Sequence, residues 1–184
     1  MEDFIQINEE ILNDTNYYYK DYIEDFLCDN VIKNKKDFTY LNIKDFREAL
    51  LDCESPIEQI LAIAIKGSRI EYINHYNPFI DLGIATNQEI KCKNGKKYRL
   101  DFYIVVAYMN KKGKIIKNAY LDIECDGKDY HSTKEQIKYD NKRSRDLIEE
   151  GFEIIRFSGS EINDNPYNCI DEILKIILSK CEYR

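Results

Sequence analysis

The sequence predicts an α/β protein: a mixed central β-sheet flanked by helices, with a helical extension over residues 1–50 and one domain over residues 51–184. Three observations carry this. From residue 55 onward, stretches with a helical repeat of apolar residues alternate with stretches rich in β-branched and aromatic residues. Their order is helix, three or so strands, helix, strand, helix, which puts helices on both faces of a sheet. The segment YRLDFYIVVAYM is apolar enough along its length to run centrally in that sheet.

In the extension, TNYYYKDYIEDFLCD offers Thr15 as a cap and repeats Tyr19, Ile23, Phe26 and Leu27 at helical spacing. NIKDFREALLD is a second helical stretch. SPIEQILAIAIK opens with Ser55 as cap and Pro56 at the first helical position, and Ile57, Ile60, Leu61, Ala64 and Ile65 form an apolar stripe. YINHYNPFI reads as a strand. KCKNGKKYRLDFYIVVAYM turns at Asn94-Gly95 and then runs extended to residue 108. NKKGK is a basic hairpin turn, and IIKNAYLDIEC returns as the next strand. A helix over about 132–150 ends at Gly151. FEIIRFS is a strand, and Asn165-Pro166 starts a last helix with Ile170, Ile173, Leu174, Ile177, Leu178 and Cys181 on one face.

With 43% hydrophobic and 33% charged residues, the chain has the make-up of an ordinary globular protein. No run approaches the roughly 18 apolar residues that span a bilayer. The start, MEDFIQINEE, has no basic segment followed by an apolar one, so the expected location is the cytoplasm. The six cysteines are scattered singly, without metal-ligand spacing, and are expected as reduced thiols. A net charge of −7 argues at first sight against a polyanionic partner. The distribution reverses that argument. Residues 1–60 hold 15 acids and 6 bases, whereas residues 61–184 hold 19 acids and 21 bases.

Several of the later acids are concentrated in LDIECDGKDYH, where a buried strand runs into a turn. Glu124 and Asp126 are expected on one face of that strand and Asp122 on the other. Asp101 interrupts the neighbouring apolar strand, and antiparallel pairing of the two would bring Asp101 and Glu124 together. Carboxylates converging near a core cost several kcal/mol unless something neutralises them. A hard cation such as Mg²⁺, which takes one or two carboxylates with waters and phosphate oxygens, does so. Each acid also has a structural reading. Asp101 can be an arginine partner, Asp126-Gly127 a turn corner, and Glu58 the fourth residue of a capping box whose carboxylate bonds back to Ser55.

The segment IECDGKDYHSTKEQIKYDNKRSRDLIEEGFEIIRFSGSEI resembles the nuclease domains related to very-short-patch-repair endonucleases, within the PD-(D/E)XK superfamily. The matching residues are Glu124, Asp126-Gly127, His131, Gln136, Asp140, Arg143, Leu147, Gly151 and Arg156-Phe157, with SPIEQ and RLDF upstream in the superfamily's order and spacing. The resemblance covers about residues 54–180 and implies a restriction-endonuclease-like core. It also implies Asp101 and Glu124 as ligands of Mg²⁺ or Mn²⁺, with Glu58 as a further ligand or a water-orienting group. Asp126 stands where the superfamily has lysine. Lys128 could substitute by reaching back, and His131 could serve as acid or base or contact phosphate. Gln136, Asp140, Arg143 and Leu147 share one helix face, expected to look towards the site.

DNA is the expected partner. Lys134, Lys138, Lys142 and Arg145 form a second helix stripe, readable as a phosphate-contacting face or as a solvated one. Lys96 and Lys97, with Lys91, Lys93 and Arg99, give one basic hairpin end, and Lys111, Lys112 and Lys114 give another. The expected activity is metal-dependent DNA hydrolysis. The alternative is a non-catalytic nucleic-acid-binding or partner-binding module on the same fold, with residues 1–50 serving a homodimer or a protein partner.

Overall fold

A computed structural model describes residues 52–66, 68, 70, 73–127 and 133–182. The expected extension over 1–50 lies outside them. The first helix, α1 (Pro56–Lys66), starts where the serine and proline place it. Ser55 Oγ accepts the Glu58 amide at 3.3 Å, and the Glu58 carboxylate accepts the Glu54 amide at 2.8 Å. The glutamate therefore ties down the helix start, but one residue further back than a capping box. Every residue from Glu58 to Ile65 is buried, so α1 runs inside the molecule rather than over it.

The strand expected at YINHYNPFI is corrected. Ile73–Tyr76 is a short helix, α2, and extended structure begins only at Ile80. The cause is local: the Asn77 amide bonds to the Ile73 carbonyl at 2.7 Å, and Asn77 Oδ1 accepts the Phe79 amide at 3.0 Å around Pro78.

Four strands follow: β1 (Ile80–Lys91), β2 (Lys97–Met109), β3 (Ile115–Asp126) and β4 (Phe152–Ser158), side by side in chain order. The first two pairings are antiparallel hairpins. The turn at Asn94-Gly95 is as expected, with Gly95 at φ +83°, a conformation that favours glycine. β3 and β4 are parallel and joined through α3 (Lys134–Glu149), which closes before Gly151 at φ +91°. Two helices complete the chain, α4 (Gly159–Asp164) and α5 (Pro166–Ser179); Asn165 caps α5.

The fold is thus the expected mixed sheet with helices on both faces. On one face Phe102, Ile104, Val106, Leu121 and Ile123 pack against α1, α4 and α5. Tyr108 is fully buried there and donates its hydroxyl to the Ile177 carbonyl of α5 at 2.9 Å. A smaller cluster joins Leu147 of α3 to Tyr98, Leu100 and Phe152. Burying about ten such large apolar side chains, at roughly 1.5–3 kcal/mol each, makes the first face the main source of stability. The second face carries the packed rings of Tyr103, Tyr120 and Phe152 beside its acidic positions.

Candidate active site

Pairing of β2 with β3 runs through Phe102–Ile123, so the next step places Asp101 opposite Glu124. The expected convergence of these two acids is what the register produces. Asp101 Oδ2 accepts the Cys125 amide at 2.8 Å, which fixes the carboxyl against the strand that carries Glu124. Both acids, with Glu58 from the start of α1 and Asp126 from the end of β3, line a cavity of about 400 Å³. Lys97, Arg99, Arg143 and Arg156 also line it, so acids and bases share one depression.

Asp122 is not on the opposite face. Positions 122, 124 and 126 are two apart, and a strand returns to the same face every second residue, so all three project together. Arg143 shows the consequence. Its Nη2 donates to Glu124 Oε1 at 2.5 Å and to the Arg99 carbonyl at 2.9 Å, and lies 3.3 Å from Asp122 Oδ2. The Asp122 contact is an ion pair without hydrogen-bond alignment. Both Asp122 oxygens and Arg143 Nη1 are buried with no hydrogen-bond partner among the described residues.

This setting moves the acids' affinities for protons. Burial, then the charge of Glu124, pushes Asp101 up to about 7 from the ordinary carboxylate range, against the pull of the Cys125 amide. Burial, followed by the neighbouring Glu124 carboxylate, raises Asp122 well above that range. Burial works against the charge on Arg143, but Glu124 and Asp122 outweigh it and its pKa rises. Burial also drives the thiols of Cys53 and Cys125 far up, so neither is a thiolate nucleophile near neutral pH.

Among the described residues no three His, Cys, Asp or Glu side chains are grouped closely enough to hold a metal ion. The carboxylates therefore form no all-protein cage among the described residues. One oxygen each of Asp101, Glu124 and Glu58 is engaged by the protein, while two facing carboxylates suit an ion that keeps most of its waters.

The other expected site residues divide between the cavity wall and positions away from it. Asp126 pairs with Arg156 at 3.2 Å across β3 and β4. Gln136 caps α3: its side chain accepts the Thr133 amide at 2.7 Å, and it is exposed. Lys128 and His131 lie outside the described residues. Of the helix stripe, Lys134, Lys138 and Arg145 are exposed, whereas Lys142 is ion-paired with the buried Asp146. Lys97 lines the cavity and pairs with Glu89 at 2.6 Å; Lys96 is exposed beside it. The turn carrying Lys111, Lys112 and Lys114 is at the far end of β2, ten residues and roughly 33 Å from Asp101. Only one of the two basic hairpin ends adjoins the cavity.

Sequence reading missed the polar hub behind the cavity. Buried Asp146 accepts the Tyr98 hydroxyl at 2.6 Å and pairs with Lys142; these bonds, that of Lys142 foremost, hold it down to about 2. Arg99, at the rim, is paired with Glu54. The i, i+4 spacing of Lys142 and Asp146 was the one available signal.

Residues 76–177 match the family model REase_MTES_1575, which describes a restriction-endonuclease-like family. That segment includes Asp101, Glu124, Asp126, Arg143 and Arg156, and begins downstream of Glu58. No curated protein and no solved structure matches the chain.

Proposed function

The chain belongs to this restriction-endonuclease-like family, and from that premise we propose that it is a metal-dependent endonuclease hydrolysing DNA phosphodiester bonds. The observation that carries the reading is the facing of Asp101 and Glu124 across β2 and β3 in a cavity that also receives Glu58. Kinship with the very-short-patch-repair endonucleases, suggested by the ordered motif residues, belongs to the same proposal.

Asp101 and Glu124 would hold Mg²⁺ or Mn²⁺, with Glu58 as a third ligand or as the group orienting water. A bound cation of this kind polarises a phosphoryl oxygen and lowers the pKa of water. The chain's own residues do the rest. Arg156 and Lys97 line the cavity, where they can meet the phosphate charge that the acids repel. The Cys125 amide fixes Asp101 in place. Lys128 and His131, next along the chain from β3, remain the proposed proton donors or phosphate contacts. Lys96, Lys134, Lys138 and Arg145 would track the DNA backbone, and residues 1–50 would serve a second copy or a protein partner.

Incubation of the full chain with plasmid and single-stranded DNA, with and without Mg²⁺ or Mn²⁺, tests the proposal. Metal-dependent products, lost in Asp101→Asn, are the expected result; retarded mobility without products would overturn it. That second outcome is the binding-module reading. It draws on two facts: Arg143 already engages Glu124, and Asp126, at the superfamily's lysine position, is paired with Arg156.

A further inference from the structure

Arg143 spends its hydrogen bonds unevenly. Nη2 serves Glu124 and the Arg99 carbonyl and touches Asp122, while Nη1 serves nothing among the described residues. Immediately beside it, both oxygens of Asp122 also lack a hydrogen-bond partner. The guanidinium and the Asp122 carboxyl are almost wholly buried, at 6% and 0% exposure, so water does not relieve them. A buried planar donor with one idle nitrogen, 3.3 Å through its other nitrogen from a carboxyl that accepts no hydrogen bond, has the complementary groups for a bidentate pair.

We propose that Arg143 is a positioning residue with two seats: it holds Glu124 while the cation site is empty and moves onto Asp122 when a divalent cation takes Glu124. The inference rests on the proposed cation site. It explains why a site meant for a cation can contain an arginine on one of its ligands. The guanidinium is the stand-in counter-ion, and Asp122 is where it goes. It also accounts for a buried acid that the cavity does not reach: Asp122 is absent from the lining residues although it shares a face with Glu124.

Cation binding without nucleic acid tests this. Mn²⁺ is titrated into the full chain and free Mn²⁺ is followed by electron paramagnetic resonance, for the unaltered protein, Asp122→Asn, Arg143→Gln and the double variant. With Arg143 present, Asp122→Asn should weaken Mn²⁺ binding about tenfold, because the guanidinium loses its second seat. In the Arg143→Gln background the same change should have no effect. A merely structural Asp122 would weaken binding equally in both backgrounds, and that result, or no weakening in either, overturns the exchange. An unaltered chain that binds no Mn²⁺ overturns the cation site itself.

A second measurement covers variants that fail to fold. In the unaltered protein, adding Mg²⁺ should shift the ¹⁵N resonances of the Arg143 guanidinium. Unmoved resonances in a chain that does bind Mg²⁺ refute the exchange while leaving the site intact.

Discussion

Asp101 and Glu124 stand opposite each other one register step beyond the Phe102–Ile123 pair, and the Cys125 amide next to Glu124 is bonded to Asp101 at 2.8 Å. The backbone itself thus locks one acid beside the other. Asp101→Asn keeps an acceptor for that amide while removing the charge. Cleavage should fall about 100-fold or more, equivalent to roughly 3 kcal/mol of barrier. The melting temperature without metal should hold or rise at pH 8. A variant that cleaves normally would remove Asp101 from the site.

The same acid makes stability depend on pH. Its folded pKa, about 7, lies above the ordinary carboxylate value, so its protonated form is the one the fold favours. Its contribution is complete below about pH 4 and is lost as pH rises towards 7. Without divalent cations, thermal denaturation should therefore show falling stability across that window. Mg²⁺ should restore more at pH 8 than at pH 5, and equal gains at both would contradict the account.

Asp146 titrates the other way. Held down to about 2, it contributes stability above the ordinary carboxylate range that disappears as pH falls through 2. Tyr98→Phe removes one of its bonds and should cost about 1–2 kcal/mol in urea unfolding at pH 7. A neutral result would mean that the remaining partners, Lys142 and Asn94, satisfy the buried acid.

Asp126 and Arg156 are each about one-third exposed, at 37% and 34%. Such a pair is worth at most about 1 kcal/mol to the fold. Arg156→Ala should then leave the melting curve nearly unchanged while cutting DNA cleavage at least about tenfold. A matching loss of stability would reassign Arg156 to the scaffold.

Lys134, Lys138 and Arg145 are exposed, whereas Lys142 is committed to Asp146. If the first three meet phosphates, each change to alanine should lower the slope of log affinity against log salt by about 0.7–0.9. Lys142→Ala should act on stability first. Mobility-shift titrations at several salt concentrations separate the two effects.

Much of this site was legible because strand chemistry is local. An acid inside YRLDFYIVV and another in LDIECDG announce themselves against apolar neighbours, and hairpin pairing needs only the intervening NKKGK turn. The helix starts at Ser55-Pro56 and Asn165-Pro166 were equally plain. What escaped depended on contacts distant in sequence. β1 was not foreseen as a strand because its glycine, threonine and polar positions lack the apolar density of β2. Nothing in the sequence near Tyr98 shows that Asp146, 48 residues away, will accept its hydroxyl. The use of Arg143 on Glu124 and Asp122 likewise depends on how α3 lies over β3. The misplacement of Asp122 had no such excuse, since its two-residue spacing from Glu124 decided its face.

The β2–β3 register shifts between Tyr108 and Met109, beside the turn that closes this hairpin. Slipping β3 by a single residue would turn Asp122, Glu124 and Asp126 into the oily side of the sheet and bring Leu121, Ile123 and Cys125 out in their place. The irregularity at Tyr108 therefore acts as an alignment mark. Lengthening or shortening the loop there would disarm the carboxylates without altering any of them, from the end of the molecule that never meets them.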